Sequence, residues 1–123
     1  MDTPATDFLM GVIGEDGTVL PDRLAERLNI SKTQLATAIG LPKDAVTRQS
    51  RLHAPETQAR LRDIVEILNM VQGWAGSKEA AFAWYRSAPL PSFGDMTSED
   101  LVRQGRAEVV KGHIGRIAAG GFA

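Results

Sequence analysis

Cysteine is absent from this 123-residue chain, which excludes disulfide frameworks, thiolate metal ligands and thiol nucleophiles. Aromatic residues are scarce, with two Trp, one Tyr and four Phe, and there are only two histidines, His53 and His113. The histidines are far apart and have no helical partner spacing, so neither a metal site nor a His-based catalytic pair is expected. No stretch approaches the roughly 18 consecutive apolar residues of a membrane span. The first seven residues, Met1-Asp2-Thr3-Pro4-Ala5-Thr6-Asp7, lack the basic start and apolar run of a signal peptide. A cytoplasmic protein without membrane partners is expected, and no glycine loop has phosphate-cradling spacing. Asp63 with Glu66, and Glu99 with Asp100, read as a solvated helix face and as helix-start acids. Neither an enzyme nor a cofactor-binding protein is expected.

A near-neutral total conceals an uneven distribution of charge. Residues 1–21 carry a formal −4, residues 22–62 a formal +4 and residues 63–123 a formal −1. A local cationic block is what phosphate binding requires, although a solvated surface also accounts for one.

Helical signals dominate, and no strand pattern is convincing. Pro21 fits the first position of a short helix to Asn29, with Leu24 and Leu28 one turn apart. Ser31 and Gln34 have the form of a capping box, and Gly40 is the expected terminator of the helix they open. Pro42 restarts the chain into a third unit running to about Arg51. The longest helix is expected from Pro55 to about Gln72, with Leu61, Ile64, Val65, Leu68 and Val71 on its inner face and Gly73 and Gly76 interrupting it. Ser77 caps a helix containing Phe82, Trp84 and Tyr85, residues 88–96 read as loop, and Thr97 with Asp100 opens a short helix that stops at Gly105. A last helix runs from about Arg106 to Ala119, with Val110, Ile114 and Ile117 inward, and Gly120-Gly121 ends it.

Residues 32–51 also fit a helix-turn-helix. Ala36 is the small residue at the helix crossing, Gly40 makes the turn four positions later, and Val46 is the packing contact beyond it. Gln49 departs from the pattern, since another apolar residue is usual there, so the second helix is expected to be short or shifted in frame. Arg48 and Gln49 are of types that pair with guanine and adenine edges. Lys43 and Arg51 suit phosphates, Thr47 points outward beside them, and Lys32 and Thr33 can meet the backbone at a helix N-terminus. The same spacing also suits a plain helical hairpin in a bundle, or a helix-turn-helix that has lost its affinity for DNA.

From Gly17 onward the chain resembles the Xre/MbcA/ParS-like antitoxins of bacterial toxin–antitoxin pairs. The likeness begins with Gly17-Thr18-Val19-Leu20-Pro21 and Leu24-Ala25-Glu26-Arg27-Leu28, and continues through residues 32–51 and Gln58-Ala59-Arg60-Leu61. It is most specific in Trp84, Pro89, Gly94, Thr97, Leu101, Gly105, Val109, Ile117, Gly120 and Gly121-Phe122-Ala123. Ser98 stands where that family usually has proline.

The resemblance implies an all-α protein: an N-terminal segment (1–18), an Xre-like helix-turn-helix region (19–73) and a small helical toxin-binding domain (74–123). It implies an antitoxin that blocks the active-site entrance of a RES-domain, NAD-consuming toxin, represses its own operon, and acts as a homodimer or as a hetero-oligomer with the toxin. Gly120 and Gly121 would allow close backbone approach, Phe122 would fill an apolar pocket, and the carboxylate of Ala123 would meet a basic site. Trp84, Arg86, Arg106, Lys111 and Arg116 complete the candidate toxin-contacting set. A stand-alone helix-turn-helix regulator, with a C-terminal domain that dimerises or senses a ligand, is the competing expectation.

Overall fold

The helix ends are set by local chemistry. In the computed structural model of this protein, residues 11–120 are described, with side chains through residue 118. They form α1 (Pro21–Leu28), α2 (Lys32–Ile39), α3 (Asp44–Thr47), α4 (Gln49–Leu52), α5 (Pro55–Ala75), α6 (Lys78–Ser87), α7 (Ser98–Arg103) and α8 (Ala107–Gly120). A 3-10 turn at Pro91–Phe93 lies between α6 and α7. The described residues are all-α: they contain no strand, only two isolated antiparallel bridges, Ile13 with Val19 and Leu90 with Met96. No described helix is long and apolar enough to cross a membrane.

Both expected capping boxes are present. The Ser31 hydroxyl accepts from the Gln34 amide at 3.0 Å, while the Gln34 side chain accepts from the Ser31 amide at 2.8 Å. Thr97 and Asp100 make the same reciprocal pair, each bond 3.1 Å long. Ser77 caps α6 by accepting from the Ala80 amide. The loop expected over 88–96 folds back through the 3-10 turn, closed by the Leu90 amide donating to the Met96 carbonyl.

Two expectations need correction. The unit restarting at Pro42 is not continuous to Arg51: it breaks at Arg48, whose backbone is extended (φ −93°, ψ 128°), into α3 and α4. Ala45 and Val46 face the core, and an unbroken helix would next turn the polar Gln49 and Ser50 inward. The break leaves Gln49 and Ser50 exposed and buries Leu52 instead. The second correction concerns α5. Gly73 does not interrupt it, because a single helical glycine costs only about 1 kcal/mol and flanking burial of Val71 and Gln72 holds the turn. The helix ends at Gly76, whose φ of 100° suits glycine alone.

One hydrophobic cluster runs from Val12 to Ile114 and includes side chains from α1, α2, α3, α5, α6, α7 and α8. Ile117, expected inward, is half-buried. Long-range hydrogen bonds pin this core. The buried Gln58 side chain accepts from the Val19 amide (2.8 Å) and donates to the Val19 carbonyl (3.1 Å) and the Leu52 carbonyl (2.7 Å). It thereby ties the 13–19 turn and the end of α4 to α5. At the end of α2, the Tyr85 hydroxyl donates to the Ala38 carbonyl (2.7 Å) and the Arg60 guanidinium to the Ile39 carbonyl (2.6 Å). The following residue, Gly40, lies against α7 so closely that a Cβ there would sit 2.9 Å from the Arg103 Cα.

Gly40→Ala therefore combines a left-handed backbone (φ 74°) with a clash against backbone atoms that cannot swing aside. It should destabilise the fold by more than about 2 kcal/mol in denaturant titration, whereas Gly76→Ala, with open space around it, should cost less. Ser98 offers the opposite case. Its hydroxyl is buried without a partner, it opens α7, and Thr97 before it is already extended as a residue preceding proline must be. Ser98→Pro should raise stability by about 0.5–1 kcal/mol, read as an increase in Tm.

Candidate functional site

The exposed cationic surface expected around residues 32–51 is present. Lys43, Thr47, Arg48, Gln49 and Arg51 are all exposed on the α3–α4 segment, and Thr33 is exposed at the start of α2. Arg48 approaches Asp44 at 3.5 Å, but both side chains are more than half exposed, so the pair is weak and readily exchanged for another anion. Thr47 donates to the Lys43 carbonyl, which holds the short α3 turn together. Lys32 is half-buried and paired with Asp22 of α1. Because the Ser31–Gln34 box occupies the Gln34 amide, the Lys32 and Thr33 amides at the helix tip are left without intrahelical acceptors.

Between the starts of α1 and α2 and the α3–α4 segment lies a cleft of about 330 Å³. Leu20, Val46 and Leu52 form its apolar lining, and Lys32, Thr47 and Gln49 contribute polar atoms alongside Arg23 and His53. The structure thus brings Lys32, Thr47 and Gln49 together around one hollow. Lys43, Arg48 and Arg51 stand outside its lining, on the solvent side of the same segment. Arg48, extended between α3 and α4, separates the two halves of this surface.

The C-terminal candidates divide into two groups. Arg86 lies 5.6 Å from the Phe82 ring centroid, with its Nε 3.2 Å from a buried Glu99 oxygen. Lys111 meets Asp63 at 2.8 Å, Glu66 at 2.5 Å and Glu108 at 3.2 Å, which fastens α8 to α5. Both side chains are spent on the fold. Arg106 and Arg116 are exposed, and Trp84 is half-buried with its ring edge-on to Trp74 at 5.4 Å. Gly120 closes α8, while Gly121, Phe122 and Ala123 lie outside the described residues. Among the described residues no group of three His, Asp or Glu side chains is arranged to hold a metal ion.

No family model, curated protein or solved structure matches this chain. Reading the sequence for function passed over Met70 and Trp74, two of the large apolar side chains that stay exposed on the outer face of α5. The signal was available: they are one turn apart and off the Leu61–Ile64–Val65–Leu68–Val71 stripe.

The polar anchors have a titration signature. Burial pushes the Tyr85 hydroxyl well above its usual pKa, and the negative fields of Glu99 and Asp63 add to the effect. Burial opposes the charge on Lys111, but hydrogen bonds to Asp63, Glu66 and Glu108 outweigh it and raise its pKa. Both groups hold their protons more tightly in the folded chain than in the unfolded one. Their contribution is intact below the unfolded tyrosine value of 10.0 and declines as the pH rises beyond it. Tyr85 is the sole tyrosine, so ultraviolet titration reads it directly. The native midpoint should lie well above the one measured in denaturant, and denaturation midpoints should fall above about pH 10. Coincident midpoints would refute the buried hydroxyl.

Proposed function

We propose that this protein is the antitoxin of a toxin–antitoxin pair: a DNA-binding inhibitor that neutralises a RES-domain, NAD-consuming toxin and represses its own operon. The observation that carries the DNA half is the exposed α3–α4 segment, bearing Lys43, Thr47, Arg48, Gln49 and Arg51, held behind a turn at Gly40. In this reading α2 and α3–α4 are the two arms of a helix-turn-helix. Arg48 and Gln49 read base edges from the hinge, Lys43 and Arg51 neutralise phosphates, and the free amides of Lys32 and Thr33 meet the backbone. The weakness of the Arg48–Asp44 pair supports this role, since releasing it for a guanine edge costs little.

The toxin half rests on the sequence resemblance in residues 84–123, with its series Trp84, Pro89, Gly94, Leu101, Gly105, Gly120 and Phe122. In this reading the end of α8 and residues 120–123 cover the toxin's active-site entrance and exclude the dinucleotide. Of the candidate cations, Arg106 before the start of α8 and Arg116 near its end are exposed, whereas Arg86 and Lys111 act through the fold.

A paired variant experiment separates the two halves. Arg48→Ala should weaken binding to the operator by about 1–3 kcal/mol in gel shifts and leave toxin inhibition unchanged. Deleting residues 120–123 should release the toxin's NAD consumption and leave DNA binding nearly intact. Inhibition that survives the deletion rules out entrance blocking, and an unchanged gel shift removes Arg48 as a reader.

A further inference from the structure

Residues 103–106, where α7 turns into α8, sit on the end of α2. Arg103 packs against Gly40, and the Arg60 guanidinium, which holds the Ile39 carbonyl, comes within 4.0 Å of where a Cβ on Gly105 would stand. The turn is well fastened: the Gly105 amide donates to the Val102 carbonyl at 2.9 Å, and the Arg106 amide to the Leu101 carbonyl at 2.8 Å. Beside it opens a hollow of about 310 Å³, lined by Gly40, Asp100, Arg103 and Gln104. Arg103, Gln104 and Arg106 are all exposed. Among the described residues neither arginine is paired with a carboxylate, and Arg106 donates only to the Gln104 side chain, at 3.5 Å.

The fold does not need Arg103 as a cap. All four final carbonyls of α2 already have donors: the Leu41 and Gly40 amides serve Ala36 and Thr37, Tyr85 serves Ala38, and Arg60 serves Ile39. Asp100, the one carboxylate lining the hollow, accepts from the Thr97 amide.

We propose that Arg103 and Arg106 grip the phosphate backbone of the same duplex that α3–α4 reads, so that DNA is held by the C-terminal region as well. This rests on the DNA-binding reading above. Chemistry favours phosphate over a protein partner. The hollow has no apolar side chain in its lining, whereas a protein interface needs an apolar centre. Unpaired guanidiniums on a fixed turn suit phosphate oxygens. Position agrees. Lys43 is three residues beyond Gly40, at most about 11 Å of chain. Each strand of B-DNA presents a charge about every 3.4 Å, so a duplex held at Lys43 has further phosphates within that distance. Arg106 is also remote from the residues proposed to cover the toxin, because it precedes α8 and Gly120 lies about 21 Å further along the helix axis.

Fluorescence anisotropy at several salt concentrations tests the grip, with the duplex upstream of the protein's own gene and an unrelated duplex of equal length. Arg103→Gln, which keeps the Cβ and Cγ that pack on Gly40, and Arg106→Gln should each weaken both duplexes by the same factor, at least ~3-fold. Each should also lower the slope of log affinity against log salt by about 0.9. Arg62→Gln removes the same charge two residues from Arg60, on the other side of α5, and should leave the slope unchanged. If Arg103→Gln lowers the Tm, Arg106→Gln, clear of the Gly40 contact, carries the test. Wild-type affinity and slope in both variants, or an equal loss in Arg62→Gln, would overturn the proposal and leave the DNA reading standing. Lost toxin inhibition with unchanged DNA binding would assign these arginines to the toxin and overturn it as well. A wild-type chain that binds neither duplex refutes the DNA reading itself, and this inference with it.

Discussion

The architecture turns on how the last carbonyls of α2 find their partners. Every helix leaves its final carbonyls without intrahelical donors, and here two of them, on Ala38 and Ile39, are at a buried crossing where water cannot serve. Tyr85 and Arg60 supply the donors, the first from α6 and the second from α5. Gly40 then admits α7 to backbone contact. Three later elements thus converge on one helix end, and the angle at which α3–α4 leaves the turn follows from that convergence. Arg60 also shows why the cationic block in the sequence overstated the cationic surface. Its guanidinium is mostly buried and committed to a carbonyl, so a charge counted toward phosphate binding is in fact a structural donor.

Local signals were legible because the groups that satisfy one another are close in sequence. Ser31 with Gln34, Thr97 with Asp100, and Ser77 with Ala80 are three residues apart, and each helix start follows from its cap. Gly40 announced its helix end by a backbone conformation that glycine adopts without strain, whereas of Gly73 and Gly76 only the second proved to be a helix end. The long-range anchors were not legible. Gln58 reaches Val19 across 39 residues and Tyr85 reaches Ala38 across 47, and no periodicity encodes which distant carbonyl a buried side chain will find. The break at Arg48 was half legible. Gln49 signalled that a continuous helix had no apolar residue to bury there, but the extended hinge that results depends on Leu52 competing successfully for the core.

The candidate site followed the same division. The exposed residues of α3–α4 could be read because a helix-turn-helix spacing fixes which side faces inward. In the C-terminal region, sequence alone could not sort cations that are free from cations that are committed. Lys111 and Arg116 look alike as residue types on one helix, yet Lys111 is clasped by three carboxylates and Arg116 is exposed. What separates them is the register of α8 against α5, which places Lys111 opposite Asp63 and Glu66.

That register carries a consequence for how the two ends of the molecule communicate. α5 is a single 21-residue helix joined at its start to α4, clasped along its middle by Lys111, and exposed at its far end through Met70 and Trp74. The Lys111 cluster holds one cation against three carboxylates, so it bears net negative charge and keeps α8 in place only while the ammonium is central to all three. A partner that moved α8 along α5 would have to part Lys111 from two α5 carboxylates at once, a cost far above that of loosening the exposed Arg48–Asp44 pair. A displacement of α5 would reach α3–α4 through Gln58 and Arg60. Gln58 grips the carbonyl of Leu52, the last residue of α4, and Arg60 grips the end of α2, so such a displacement would move both sides of the Gly40 turn together. Arg48, extended between α3 and α4 and exposed, lies outside these buried bonds.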